Sequence, residues 1–135
     1  MELLGHDHER IGEWVRARVP RVERWLEGFR TLAAVDGDRI LGAVVFDGFT
    51  PFDCNMHIAI DDRRCVTRHI LRLVFHYPFA QLRLARVTGL VPAGNAAALD
   101  FDLRLGFVEE GRKVNAFGDE DEIILGMTRE ACRWL

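Results

Sequence analysis

A chain of 135 residues, 49% of them hydrophobic, is long enough to bury one core and too apolar to stay disordered. Its 18 basic and 21 acidic residues leave a net charge of −3, which excludes a global electrostatic pull toward nucleic acid. No run of about 18 apolar residues predicts a membrane span, and three cysteines (Cys54, Cys65, Cys132) without a common spacing argue against a disulfide framework or a zinc knuckle.

The start, MELLGHDHER, does not read as a signal peptide, so the expected location is the cytoplasm. Neither repeats nor linkers divide the chain, and residues 1–135 are expected to form a single domain. Residues 6–18 have a helical period, with Leu4, Ile11, Trp14 and Val15 near one side and Pro20 closing the helix. A second short helical piece is expected around Val22 to Leu26. From Phe29 the period changes. FRTLAAV and RILGAVVF are β-prone runs joined by Asp36-Gly37-Asp38, a short-hairpin signal.

FDCNMHIAI then alternates, with Phe52, Cys54, Met56, Ile58 and Ile60 on one face and Asp53, Asn55, His57 and Ala59 on the other. Val66 to Tyr77 has a helical stripe of Val66, Ile70, Leu73, Val74 and Tyr77, while Arg68, His69, Arg72 and His76 point outward. LARVTGLV reads as a buried strand, Ala96 to Leu105 as a helix stopped by Gly106, and FVEEGRKV and DEIILGM as two final strands. A helix between FDCNMHIAI and LARVTGLV implies a right-handed crossover that makes those strands parallel. The class is α/β (α+β in looser bookkeeping), a mixed central sheet of about six strands flanked by helices.

Two places break the pattern. On a helical wheel of residues 95–105, Phe101, Leu105, Ala98, Leu99 and Leu103 form one apolar arc, and Asp102 falls in its middle. A carboxylate there is costly unless it is paired, hydrated or at a working site. The face Asp53, Asn55, His57 is polar where a central strand is expected to be apolar on both sides. Imidazole titrates near neutrality, so His57 is a candidate base that Asp53 or Asn55 could orient; a solvent-facing polar row is the alternative. His6-Asp7-His8 offers no closed ligand set, and His69 and His76 lie two turns apart, so no metal is expected. Asn95 is placed to cap the helix after it. Asp119 to Glu122 reads as a solvated hairpin tip that could attract a cationic amine.

The pattern Asn95-x-x-Ala98-x-x-Phe101-x-x-x-Leu105-Gly106-Phe107, directly after a strand, resembles the GCN5-related N-acetyltransferases. The resemblance runs over nearly the whole chain, with a leading first strand absent or reduced. HYPFAQLRLARVTGLVPAGNAAAL, followed by GFVEEGR and MTREACRWL, looks like the ribosomal-protein and antibiotic acetyltransferase branch. It looks still more like small acetyltransferase-like proteins of tailed phages and prophages.

That resemblance implies an N-acetyltransferase with acetyl-CoA as co-substrate. Acetyl-CoA would wedge where the strands near 53–60 and 86–91 splay, with pantetheine on the backbone of Ile58, Ala59 and Ile60. Asn95, Ala98 and Phe101 would face it from the next helix. Pyrophosphate would sit at the start of the intervening helix, where free N–H groups and the helix dipole attract anions. The family's Arg/Gln-x-x-Gly-x-Gly/Ala loop is here Asp62-Arg63-Arg64-Cys65-Val66-Thr67, without glycine. Side chains at Cys65 and Thr67 would crowd phosphate, which Arg63, Arg64 and Arg68 could offset by charged contacts; alternatively these arginines only solvate a helix start.

Many members carry, after the Phe101 equivalent, a tyrosine that protonates the CoA thiolate; here that residue is Asp102. It could act as acid or base, anchor an amine, or pair idly with Arg104 or Arg64. The implied acceptor is open: a protein amine, a small amine or a modified nucleobase. A homodimer is also open. The rival expectation is a degenerate domain that keeps the fold and only scaffolds a partner.

Overall fold

The computed structural model describes all residues from Met1 to Leu135. Strands β1 (Glu2–Leu4), β2 (Arg30–Asp36), β3 (Arg39–Asp47), β4 (Asn55–Ile60), β5 (Arg86–Pro92), β6 (Val108–Lys113) and β7 (Glu122–Thr128) form one sheet in the order β1-β2-β3-β4-β5-β7-β6. Every neighbouring pair is antiparallel except β4 and β5, which are parallel as the crossover requires. Helix α1 (His8–Arg16) precedes β2, α2 (Arg68–His76) makes the crossover, and α3 (Ala96–Leu105) links β5 to β6.

Alternation along the strands sorts the core into two layers. Val44, Phe46 and Met56 point into the larger cluster with Phe75, Phe79, Val87 and Leu125. Their neighbours Ala43, Val45 and Ala59 point the other way, against Ile11 and Val15 of α1. His57 shares the parity of Ala59 and therefore lies on the α1 face, as does Asp47. Asn95 caps α3 by accepting from the Ala98 amide at 3.3 Å, and Gly106 ends that helix at φ 118°, a left-handed conformation that favours glycine.

The leading strand is reduced, as expected: the three residues of β1 pair with β2 from Glu2↔Val35 to Leu4↔Ala33 and complete a sheet of seven strands. Three expectations change. Residues 22–26 are irregular, because the chain leaves α1 through Pro20 and turns at Arg21 with φ 66°. Phe52 precedes β4 and is 68% exposed, and Leu103, placed on the apolar arc by the wheel, is 50% exposed; Leu73 is exposed too. Finally, α2 widens into a π-helical turn over Tyr77–Gln81. Pro78 has no N–H for the i→i−4 ladder, and Leu82 donates instead to Tyr77 O, five residues back, at 3.0 Å.

At the start of α1, His8 Nδ1 accepts the Thr31 backbone N–H at 3.0 Å and lies 2.8 Å from Thr31 Oγ1. Accepting an amide proton requires a neutral ring. Burial, reinforced by Arg30 and His6, holds the His8 pKa below its usual 6.5. A histidine with a lowered folded-state pKa gives full stability above the unfolded value and loses it as pH falls below that value. The melting-temperature advantage of the wild type over His8→Gln should therefore shrink from pH 7.5 to pH 5.5; an advantage that grows on acidification would contradict this contact.

Candidate functional site

β4 and β5 pair through one residue couple, Asn55↔Thr88, next to the Thr88 N–H donating to Cys54 O at 2.9 Å. Asp53 pins this end, accepting from Thr88 Oγ1 at 2.9 and 3.0 Å with Arg86 at 3.5 Å. Beyond that clamp the strands diverge, and the β5-facing backbone of β4 is left without a strand partner. The opening is a cleft of about 490 Å³. His57, Ile58, Ala59 and Ile60 of β4 form one wall, and Leu90, Val91 and Pro92 of β5 the other. Asn95, Ala98, Phe101 and Asp102 approach from the α3 side, while Arg18, Val19, Pro20 and Val22 come from the segment after α1.

Asp102 is 9% exposed and has neither an ion pair nor a hydrogen bond within the protein. The arginines that sequence offered as partners are engaged elsewhere: Arg104 with Asp100 at 3.0 Å, Arg64 with Asp62 at 2.9 Å. No buried side-chain oxygen or nitrogen is left without a partner, so the unpartnered Asp102 carboxyl oxygens reach solvent, at the cleft. Burial pushes the carboxyl up to about 7, and the nearby His57 only partly opposes the rise. Such a group is neutral for part of the time at physiological pH, and can donate a proton.

His57 Nε2 lies 3.1 Å from Asp47 Oδ1, and the Trp25 ring packs 4.9 Å from the imidazole, centre to centre. Asp47 is buried and also accepts from the Leu26 amide at 3.2 Å and Asn55 Nδ2 at 3.3 Å. Burial alone would raise the Asp47 carboxyl, but the hydrogen bonds and charge of His57, with those from Leu26 and Asn55, hold it below its usual value. Sequence reading missed Asp47, which directly follows the β-prone run RILGAVVF. The signal that could have found it is register: Asp47 stands opposite Asn55 on β4, one diagonal step from His57. Asp53 does not reach the imidazole. It is the clamp on Thr88, and Asp47 occupies the orienting position for which Asp53 and Asn55 were the candidates.

The segment before α2 divides. Asp62 caps a 3₁₀ turn, Arg63–Cys65, accepting from the Arg64 amide at 3.0 Å, and also holds the Arg64 and Arg39 guanidinium groups. Cys65 turns inward, its Sγ 2.8 Å from where a Cβ on Gly42 would stand, and with Val66 it lines a separate apolar pocket rather than the cleft. Thr67 Oγ1 caps α2 by accepting from Ile70 N at 3.1 Å. Arg63 lines the cleft, Arg68 is exposed on the first turn of α2, and neither makes an ion pair. Arg63 and Arg68, rather than Arg64, are thus the cations available to a phosphate. If the cleft takes CoA, as the resemblance implies, removing either charge should weaken it about fivefold, the scale of about 1 kcal/mol at an exposed site, and leave a pantetheine fragment unaffected. Equal losses for both ligands would contradict that role, and Arg64→Ala should change neither.

No protein-family model matches the sequence, and a search of curated proteins finds no match. Solved structures do resemble it. A chimera of the spermidine N-acetyltransferase from Vibrio cholerae and hSSAT superposes with a TM-score of 0.78 at 18% identity, over 96% of this chain and 98% of that one. The dodecameric spermidine N-acetyltransferase from Vibrio cholerae gives 0.74 at 17% identity, over 96% and 94%. Ribosomal-protein-S5-alanine acetyltransferase from Vibrio fischeri gives 0.62 at 20%, over 79% and 64%. The architecture is the GCN5-related N-acetyltransferase fold, a mixed seven-stranded sheet flanked by helices.

Proposed function

We propose that the chain is an acyl-CoA-dependent N-acyltransferase that moves an acetyl group from acetyl-CoA to a primary amine. The observation that carries this reading is the splayed cleft, which has an unpaired strand edge on one wall and two titratable side chains of opposite chemistry at its surface. The extended edge at Ile58, Ala59 and Ile60 offers backbone groups to the amide-bearing pantetheine. Asn95, Ala98 and Phe101 cover its other side, and Arg63 and Arg68 offset phosphate charge. The names of the structural neighbours, acetyltransferases of spermidine and of a ribosomal protein, support the same class of acceptor.

In this mechanism the amine nitrogen attacks the thioester carbonyl carbon, a C–N bond forms and the C–S bond breaks. His57 accepts the proton that the amine must lose, and Asp102 in its neutral form protonates the departing thiolate. Within the reading, the enzyme belongs with the ribosomal-protein-acetyltransferase-like branch and its small phage and prophage relatives, and works in the cytoplasm without a metal. The experiment is a thiol-release assay with acetyl-CoA and a panel comprising spermidine, a lysine peptide, a peptide with N-terminal alanine and an amino-modified nucleobase. Release dependent on one amine supports transfer.

A second reading is a CoA-binding or scaffold domain without transfer. It is favoured by the loop before α2, where Thr67 and Asp62 occupy helix-start N–H groups that a phosphate would use. CoA binding without release for any amine in the panel would favour it.

A further inference from the structure

We propose that Asp47 is the positioning residue of this cleft: its buried carboxylate fixes His57 as the Nε2–H tautomer, leaves Nδ1 as the proton-accepting nitrogen, and ties the segment after α1 to that ring. The groups facing the imidazole are Asp47 from β3, Asn55 on β4, Trp25 from the segment after α1, and Asp102 across the cleft. Asp47 receives two donors, the Leu26 amide and Asn55 Nδ2, and its Oδ1 also lies 3.1 Å from His57 Nε2, a pattern that suits an ionised carboxylate with acceptors only. Its partner nitrogen must then carry hydrogen, so Nε2 is the donor and Nδ1 holds the lone pair. His57 makes no other hydrogen bond, and no buried polar side-chain atom lacks a partner, so Nδ1 reaches solvent.

The second half of the proposal follows from the other carboxylate oxygen. Asp47 Oδ2 takes the Leu26 amide, next to the Trp25 that packs on the imidazole. Trp25 Nε1 in turn donates to Gly12 O at 2.8 Å, and a Cβ at Gly12 would stand 2.7 Å from the Phe29 ring. One carboxylate therefore holds both the ring and the backbone leading from the cleft wall at Val19, Pro20 and Val22. The tautomer assignment is independent of acyl transfer; its catalytic consequence rests on that reading.

The test uses ¹⁵N-histidine-labelled protein at pH 8, with the His57 signals among five histidines identified by their loss in His57→Gln. The wild type should show a protonated Nε2 and an unprotonated Nδ1; a protonated Nδ1 overturns the proposal whatever any variant does. Asp47→Asn keeps the shape and removes the charge. It should lower kcat/KM about tenfold and move the acidic limb of its pH profile to lower pH, with acetyl-CoA affinity unchanged, and Asp47→Glu should recover part of the loss. In a His57→Gln background, Asp47→Asn should cost nothing further; a full additional loss there would make Asp47 merely structural. The expected tautomer, with turnover indifferent to His57→Gln, would remove acid–base catalysis by His57 and leave the positioning by Asp47 standing.

Discussion

Asp102→Asn should cut turnover by about 10²-fold and, at pH 8, make the protein more stable. On the proposed mechanism the first effect is the usual scale for losing one general acid, with acetyl-CoA affinity retained because the amide keeps the shape. The second follows from the carboxyl's position on an apolar helix face, where burial pushes it up to about 7 against an ordinary 3.8. Between those two values the folded protein holds a proton that the unfolded chain has released. Stability from this group is therefore complete below about pH 3.8, declines as pH rises, and is lost above about pH 7. At about 1.4 kcal/mol per pH unit, the ceiling on that loss is on the order of 4 kcal/mol, and solvent reaching the cleft reduces it. Asparagine does not ionise, so the variant should melt several degrees higher at pH 8 and converge on the wild type near pH 4. A variant that is equally active and less stable at pH 8 would show that Asp102 only packs α3. Asp102→Tyr, which installs the acid of the resembled family, should return part of the lost turnover.

His57→Gln should have the larger catalytic effect, a loss of 10²- to 10⁴-fold in kcat. Glutamine can still donate to Asp47, so the buried carboxylate keeps a partner and the fold should survive. On the proposed mechanism, what disappears is the nitrogen that accepts the amine's proton. The loss should therefore be greatest near neutrality and shrink at high pH, where the acceptor amine is already deprotonated. Acetyl-CoA affinity should remain within about twofold. A uniform loss at every pH, matched by weaker acetyl-CoA binding, would mean that His57 shapes the cleft rather than moving a proton.

What the sequence made legible was local. The β2–β3 hairpin, the Asn95 cap, the Gly106 stop and the misplaced carboxylate at Asp102 each depend on spacing within about a dozen residues. Asp102 stood out because a helical wheel needs no partner element to mark a polar residue on an apolar face. Asp47 did not, because its meaning depends on the β3–β4 register and on a Leu26 amide 21 residues away. The separation of Arg63 and Arg68 from Arg64 was hidden for the same reason: Asp62 selects one of the three arginines by the geometry of a 3₁₀ turn. The π-helical turn after α2 was marked by Pro78, yet proline signals only a broken ladder, not the way the chain repairs it.

Titration of acetyl-CoA into ¹⁵N-labelled protein tests the central claim most directly, since it asks whether the splayed cleft is an acyl-CoA site without needing the acceptor. Saturable binding should shift the backbone amides of Ile58 to Ile60 and of Asn95 to Asp102. At a hundredfold excess over Kd it should stabilise the fold by about 2.7 kcal/mol. Amides that stay unmoved at millimolar acetyl-CoA, or shifts confined to surfaces away from β4 and α3, would contradict it.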